Sequence, residues 1–356
     1  MDKWNMNGCK LLWHMDRVSR WKKGERVAPL LIDIGATKKC QLHCSYCYGD
    51  FQRKSSEVIP RDVLINLCHD APHLGVKAMS FTGDGENTLN PALYDAVIMG
   101  KENGLDLSLA TNGVAINDAQ NEILARNMVW LRYNISAATP ESYKIVHGME
   151  KKIFDKVMYN IQKSVEIKKK FNLSVTIGLQ MVLIPDCIND VIPLSKLAVD
   201  FGVDYLVIKQ FSDPGSDVKV KYDLSKVNSE EWSKILKTAE NMSTDKTQIV
   251  VKWSHLERKG TRPYDHCVDC ALLFQISGNS KCYPCGYLFN KEEYCYGDLK
   301  KQTLEEILNS QQYWKIVEHM TTRFNVHKDC AGGCRHDETN IFLWNLMHPP
   351  KHINFI

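Results

Sequence analysis

Between residues 29 and about 240 the chain alternates two hydrophobic rhythms. Short, nearly continuous apolar runs recur at residues 30–34, 78–82, 107–111, 130–136, 175–183 and 205–209. Runs of that kind predict strands covered on both faces, as in a parallel sheet. Between them lie longer stretches with apolar residues three and four apart, at 61–69, 91–103, 119–126, 154–169, 191–201 and 230–241, and these predict helices. Gly75, Gly104 and Gly202 fall at joints, where a helix end takes a left-handed residue. Six strand–helix units in a row predict an α/β fold. Its main body is a partial (β/α)6 TIM-like barrel over residues 29–243. Beyond about 245 the alternation stops, and residues 244–356 read as a small cysteine-rich domain. Residues 1–28, basic and carrying Trp4, Trp13 and Trp21, predict an N-terminal helical segment packed on the barrel.

Composition narrows the function. The 356 residues are 44% apolar, enough for a sizeable core, and 45 basic residues against 42 acidic leave a net charge of +3. That balance calls for neither nucleic acid nor an anionic membrane as a partner. No stretch approaches the ~20 apolar residues of a membrane span, and no secretory signal opens the chain. Thirteen cysteines in such a chain point to metal or redox chemistry in the cytoplasm rather than to disulfides.

The densest chemistry is C-x3-C-x2-C at Cys40, Cys44 and Cys47, directly after the first predicted strand. In parallel α/β barrels the reacting groups gather at the C-terminal strand ends. Three thiolates are one short of the four that hold a [4Fe–4S] cluster, so one iron would stay open to substrate. Zinc would want paired arms or a Cys/His mixture, and His43, next to Cys44, is badly placed to complete one.

The segment Lys39-Cys40-Gln41-Leu42-His43-Cys44-Ser45-Tyr46-Cys47 resembles the signature of the radical S-adenosylmethionine (SAM) enzymes. The resemblance implies a [4Fe–4S] cluster on Cys40, Cys44 and Cys47, with SAM chelating the fourth iron. Reductive cleavage of SAM would give a 5′-deoxyadenosyl radical, fed by an electron donor such as flavodoxin or ferredoxin. Tyr46 matches the aromatic residue that packs near adenine. Gly83-Asp84-Gly85-Glu86 is similar to the family's GGE element, with Asp84 replacing the first glycine; Gly85 and Glu86 then stand for the SAM amino-group site. An ordinary glycine-rich turn is the plainer alternative. Asn112 in Thr111-Asn112-Gly113 resembles the TNG strand end, or simply makes a turn. Ser136 matches a ribose contact. Gln180 interrupts an apolar strand and meets either a ligand or a core hydrogen bond, and one of Lys209 and Gln210, at the end of the 205–208 run, faces adenine or substrate unless both face solvent.

Seven more cysteines follow: Cys267, Cys270, Cys282, Cys285, Cys295, Cys330 and Cys334. The run Cys267-x2-Cys270-x11-Cys282-x2-Cys285 also has zinc-ribbon spacing. The region resembles the SPASM or twitch extension of radical SAM enzymes. That implies one auxiliary [4Fe–4S] cluster on Cys267, Cys285, Cys330 and Cys334, with Cys270 competing as a ligand and thiols enough for a second site. Cys295, Cys282 and Cys270 are the spare thiols that could return a hydrogen atom to a substrate radical. Cys9, Cys68 and Cys187 read as buried small hydrophobes. Asp84, Lys209, Asp213, His255 and His336 are candidate acid–base groups. The expected reaction is oxidation or epimerisation of a small polar, sugar- or aminocyclitol-like substrate. A peptide- or protein-modifying enzyme is one alternative, a non-catalytic zinc protein another. The small substrate is preferred because there is no room ahead of Cys40 for a leader-binding module.

Overall fold

The computed structural model describes residues 8–47, 55–211, 222, 229–253, 262–330 and 334–355. Ten strands form one sheet: β1 (Leu31–Ile34), β2 (Ala78–Phe81), β3 (Asp106–Thr111), β4 (Trp130–Asn134), β5 (Thr176–Leu183), β6 (Tyr205–Gln210), β7 (Gln248–Val251), β8 (Leu273–Ile276), β9 (Lys281–Tyr283) and β10 (Gly297–Asp298). Their order is β10-β9-β8-β1-β2-β3-β4-β5-β6-β7. β1 to β7 run parallel in sequence order, joined by helices that include α2 (Arg61–His73), α3 (Leu93–Glu102), α4 (Asp118–Asn127), α6 (Lys151–Lys170), α7 (Val191–Phe201) and α8 (Glu230–Glu240). Each lies within a few residues of its expected position.

Two features were not foreseen. β7 continues the parallel series past residue 243. β8, from the cysteine-rich tail, pairs parallel with β1 along its whole length, Asp33 facing Gln275. The tail therefore covers the edge of β1 that would otherwise present unpaired backbone groups, before β9 and β10 turn back antiparallel. The second surprise is α5 (Pro140–His147) between β4 and α6. Thr139 caps it through the backbone N–H of Ser142, Pro140 supplies the first-turn φ, and Gly148 ends it at φ +72°. Those three residues were legible signals.

At the N-terminus a 3-10 turn, Gly8–His14, leads into α1 (Met15–Lys22). Cys68 and Cys187 are buried as expected, but Cys9 is exposed. The difference is geometric, since one turn of a surface helix has a solvent side.

The sheet has two unlike faces. Ile32, Ile34, Phe81, Leu107, Leu131 and Leu179 line one, each at most 1% exposed, and form the core with the helices. Each such side chain contributes about 2 kcal/mol relative to exposure, so this face alone anchors the helices. The register puts polar groups on the other: Asp33, Ser80, Ser108 and Gln275 side by side, then Asn134 beside Gln180, with Arg132 two residues before Asn134 on β4 and Lys209 on β6 beside Val182.

Candidate metal centre and the strand ends around it

The cysteine loop leaves β1 at its C-terminal end and is braced by its neighbours. Glu86 N–H donates to the Lys39 carbonyl at 2.7 Å. From the C-terminal end of α5, the His147 carbonyl accepts from His43 N–H at 3.2 Å and the Val146 carbonyl from Ser45 N–H at 2.9 Å. Gly85 passes so close that a Cβ there would lie 2.3 Å from the Thr37 oxygen and 2.5 Å from the Lys39 oxygen. What needs a glycine at this position is the backbone of the cysteine loop.

Glu86 is 4% exposed and accepts four hydrogen bonds: Thr88 N–H and Oγ1–H, Thr111 Oγ1–H, and Asn112 N–H at 2.7 Å. Burial pushes its pKa up, and those donors pull it down. The carboxylate thus joins the ends of β2 and β3 and holds Asn112 against the loop. Asn112 Nδ2 in turn approaches Cys40 Sγ at 3.8 Å, and its Oδ1 accepts from Gln41 at 3.2 Å.

His147 Nδ1 lies 3.1 Å from Cys44 Sγ, and its Nε2 accepts the Ser136 N–H at 3.0 Å. Burial lowers its pKa to about 3 and keeps the ring neutral. Ser136 is itself buried; its Oγ accepts from Val182 N–H and meets the Tyr46 phenol. Tyr46 is half-buried, edge-on to His147. Gln180 donates to Asn134 at 3.1 Å, both on the polar face.

Asp84 explains the departure from GGE. It reaches across to the tail, accepting from Ser277 Oγ at 2.6 Å and from Gly278 N–H at 3.3 Å. Burial lifts its pKa to about 6, partly offset by those donors. On the same side Asp33 pairs with Arg335 at 2.5 Å and accepts from Gln275. Asp33 went unremarked in the sequence, although a lone acid in an apolar strand is a signal in itself. Lys209 is half-buried, its pKa lowered to about 7 by burial and then by Arg132, Arg335 and Lys252. His336 pairs with Asp269 at 2.7 Å. Asp213 and His255 lie outside the described residues.

In the tail, Cys267, Cys285, Cys330 and Cys334 are half-buried and within each other's field. Burial, then Cys330, Cys267 and Cys285, push the Cys334 thiol up. Burial, then Cys267 and Cys330, do the same to Cys285. Arg262 opposes the rise at Cys330, which stands at about 11. Cys270 is buried, its thiol 3.2 Å from the Cys267 carbonyl; Cys282 is buried beside Cys295; of these three, Cys295 keeps some exposure. Among the described residues no three His, Cys, Asp or Glu side chains are arranged to hold a single metal ion.

The donor sets suit thiolate-held iron–sulfur clusters: soft sulfur ligands in both regions, and N–H groups aimed at two sulfurs of the first. Among the described residues no helix is long and apolar enough to cross a membrane.

Residues 34–187 match the family model of the radical SAM superfamily, and residues 267–335 match SPASM, an iron–sulfur cluster-binding domain. The tungsten-containing aldehyde ferredoxin oxidoreductase cofactor-modifying protein of Pyrococcus furiosus is 23% identical over 296 residues, spanning 78% of this chain and 80% of the relative. A probable GTP 3′,8-cyclase of Pyrococcus abyssi is 25% identical over 148 residues, 41% of this chain and 47% of that protein. Among solved structures, Streptococcus suis SuiB bound to S-adenosylmethionine superposes with a TM-score of 0.66 at 16% identity, covering 94% of this chain and 80% of that one. Native anSMEcpe with bound AdoMet gives 0.60 at 17% identity, covering 90% and 99%. At these identities the solved structures speak for the fold.

Proposed function

We propose that this chain, a member of the radical SAM superfamily with a C-terminal SPASM domain, removes a hydrogen atom from a small polar, sugar- or aminocyclitol-like substrate and so oxidises or epimerises it. The enzyme works with a [4Fe–4S] cluster, SAM and auxiliary iron–sulfur in the SPASM domain. The chemistry supplied at the first site is one-electron cleavage of SAM, which yields the radical that takes the hydrogen. Everything else falls to the protein: it binds, aims and excludes.

Cys40, Cys44 and Cys47 are the proposed ligands of the first cluster, and Cys267, Cys285, Cys330 and Cys334 of the auxiliary one. Gly85 and Glu86 hold the loop and Asn112 in register for SAM, and Tyr46 lies beside the adenine. The observation that carries the substrate proposal is the polar face of the sheet. Asp33, Asn134, Gln180, Lys209 and Gln275 lie on it, where a substrate with many hydroxyl or amino groups finds hydrogen-bond partners. Lys209, with a pKa near 7, is poised to take a proton from a substrate alcohol. A return of hydrogen from Cys295 would give epimerisation, and electron loss to the auxiliary cluster would give oxidation. The electron donor is a flavodoxin or ferredoxin, and the site of action the cytoplasm. The name of the Pyrococcus furiosus relative, a cofactor-modifying protein, agrees with a non-peptide substrate.

A second reading, a peptide substrate, is favoured by two structural neighbours: SuiB was crystallised with the precursor peptide SuiA, and anSMEcpe with a peptide.

Reconstituted protein, dithionite and SAM should release 5′-deoxyadenosine faster when aminocyclitols or sugars are added. Acceleration by peptides alone would refute the small-substrate reading. In deuterated water, label at the reacting carbon marks epimerisation, and an unlabelled two-electron product marks oxidation.

A further inference from the structure

The ring of His147 is assigned by its partners. Its Nε2 accepts the backbone N–H of Ser136 at 3.0 Å, so that nitrogen presents its lone pair and the single ring proton sits on Nδ1. Nδ1 is the atom that faces Cys44 Sγ at 3.1 Å. The ring is fully buried, stacks on Tyr143 with centroids 4.5 Å apart and meets Tyr46 edge-on at 5.8 Å. The other tautomer would set an Nε2–H against the Ser136 N–H and aim a bare lone pair at sulfur, and turning the ring over would break the Ser136 bond and put a C–H against the sulfur. The residue's own carbonyl holds His43 N–H, so one helix end fixes both the loop and the donor. Gly148 closes that end at φ +72°, with the backbone of His43 packed against it.

We propose that His147 is a positioning residue for the first cluster: its Nδ1–H donates to the Cys44 thiolate, sets the sulfur's direction and raises the cluster's reduction potential. The inference rests on Cys44 being a cluster ligand and is independent of the substrate. Hydrogen bonds to ligating sulfur stabilise the reduced, more negative cluster, and such bonds are among the levers that set its potential. A cluster that must deliver an electron to SAM is sensitive to that lever.

The test uses the full-length, anaerobically reconstituted protein, with iron and sulfide counted and the first cluster titrated by EPR. His147→Phe keeps the stacking and removes the N–H; His147→Asn keeps a donor where Nδ1 stood. The expected result is full iron and sulfide in both, a potential clearly more negative in His147→Phe than in wild type, and His147→Asn in between. An unchanged potential in His147→Phe overturns the proposal, as does an equal shift in both variants. If His147→Phe loses its iron, His147→Asn decides: iron retained with a near wild-type potential supports the donor role, and loss in both assigns the effect to the backbone clamp and overturns it. A wild-type protein without acid-labile sulfide would instead sink the cluster reading itself.

Discussion

The two cysteine regions of this chain are held in opposite ways. Cys40, Cys44 and Cys47 sit in one short loop, braced from outside by the ends of β2, β3 and α5, with Asn112 and His147 aimed at two of the sulfurs. Cys267, Cys285, Cys330 and Cys334 come from separate stretches of the tail; a hydrogen bond with Cys270 pushes the Cys267 thiol up, and burial followed by the neighbouring cysteines does so at Cys285 and Cys334. The three ligands proposed for the first site leave a position open, so its geometry must come from the surrounding fold; the four proposed in the tail can draw theirs from the metal they bind. Asp84, bonded to Ser277 and Gly278, is the joint between the two.

The sharpest way to break this contrast is to empty each site separately. Cys44→Ala should lose about half the bound iron, taking one cluster as four irons, and SAM cleavage should fall to the uncatalysed background. Cys334→Ala should lose the other part while the EPR signal of the first cluster remains. If either variant empties both sites, the regions are not separable.

Gly85→Ala comes next. Its methyl group would press on backbone at 2.3 and 2.5 Å, which cannot yield as a side chain does. We expect about 3 kcal/mol or more of destabilisation, with iron lost from the first region before the tail, read by denaturant titration and by site-resolved iron counting. Asp84→Ala removes the acceptor for two buried donors and should cost about 2–3 kcal/mol without choosing between the two clusters.

The joint also carries a pH signature. Asp84 titrates at about 6 when folded against its ordinary 3.8. Between those values the folded protein holds more protons than the unfolded one, so stability should fall as pH rises through that window. The full loss is about 3 kcal/mol. Asp84→Asn should flatten that slope in chemical denaturation run at pH 4 to 7, and an unchanged slope would place its origin elsewhere. The smallest effect is expected at Asn112→Ala. Its Nδ2 contact with Cys40 is long, at 3.8 Å, so the shift in EPR midpoint should be smaller than His147→Phe produces.

Much of the fold was legible. The strands from 30–34 to 205–209 were readable because buried parallel strands are continuous apolar runs, and α7 was placed to the residue. The tail was harder. β7 and β8 are short and lie among polar and cysteine-rich residues, so their role as sheet strands depends on the partner beside them. α5 carried clear end signals, but it is only eight residues long and falls in the stretch between the strand read at 130–136 and the helix read at 154–169, to which the apolar pattern assigned no element. At the site, the C-x3-C-x2-C spacing named three thiols; nothing local to it pointed to His147, 103 residues from Cys44.

What the amino-acid order determined alone was the alternation of strand and helix, the three neighbouring thiols and the second field of cysteines. All of these are carried by period and spacing along the chain. Tertiary structure decided the rest: that β8 enters beside β1, that Glu86 ties β2 to β3, that Asp84 reaches the tail, and that a distant histidine points its proton at Cys44. Such pairings depend on strand register and on which groups burial leaves in need of a partner, and neither quantity exists until the chain has closed on itself.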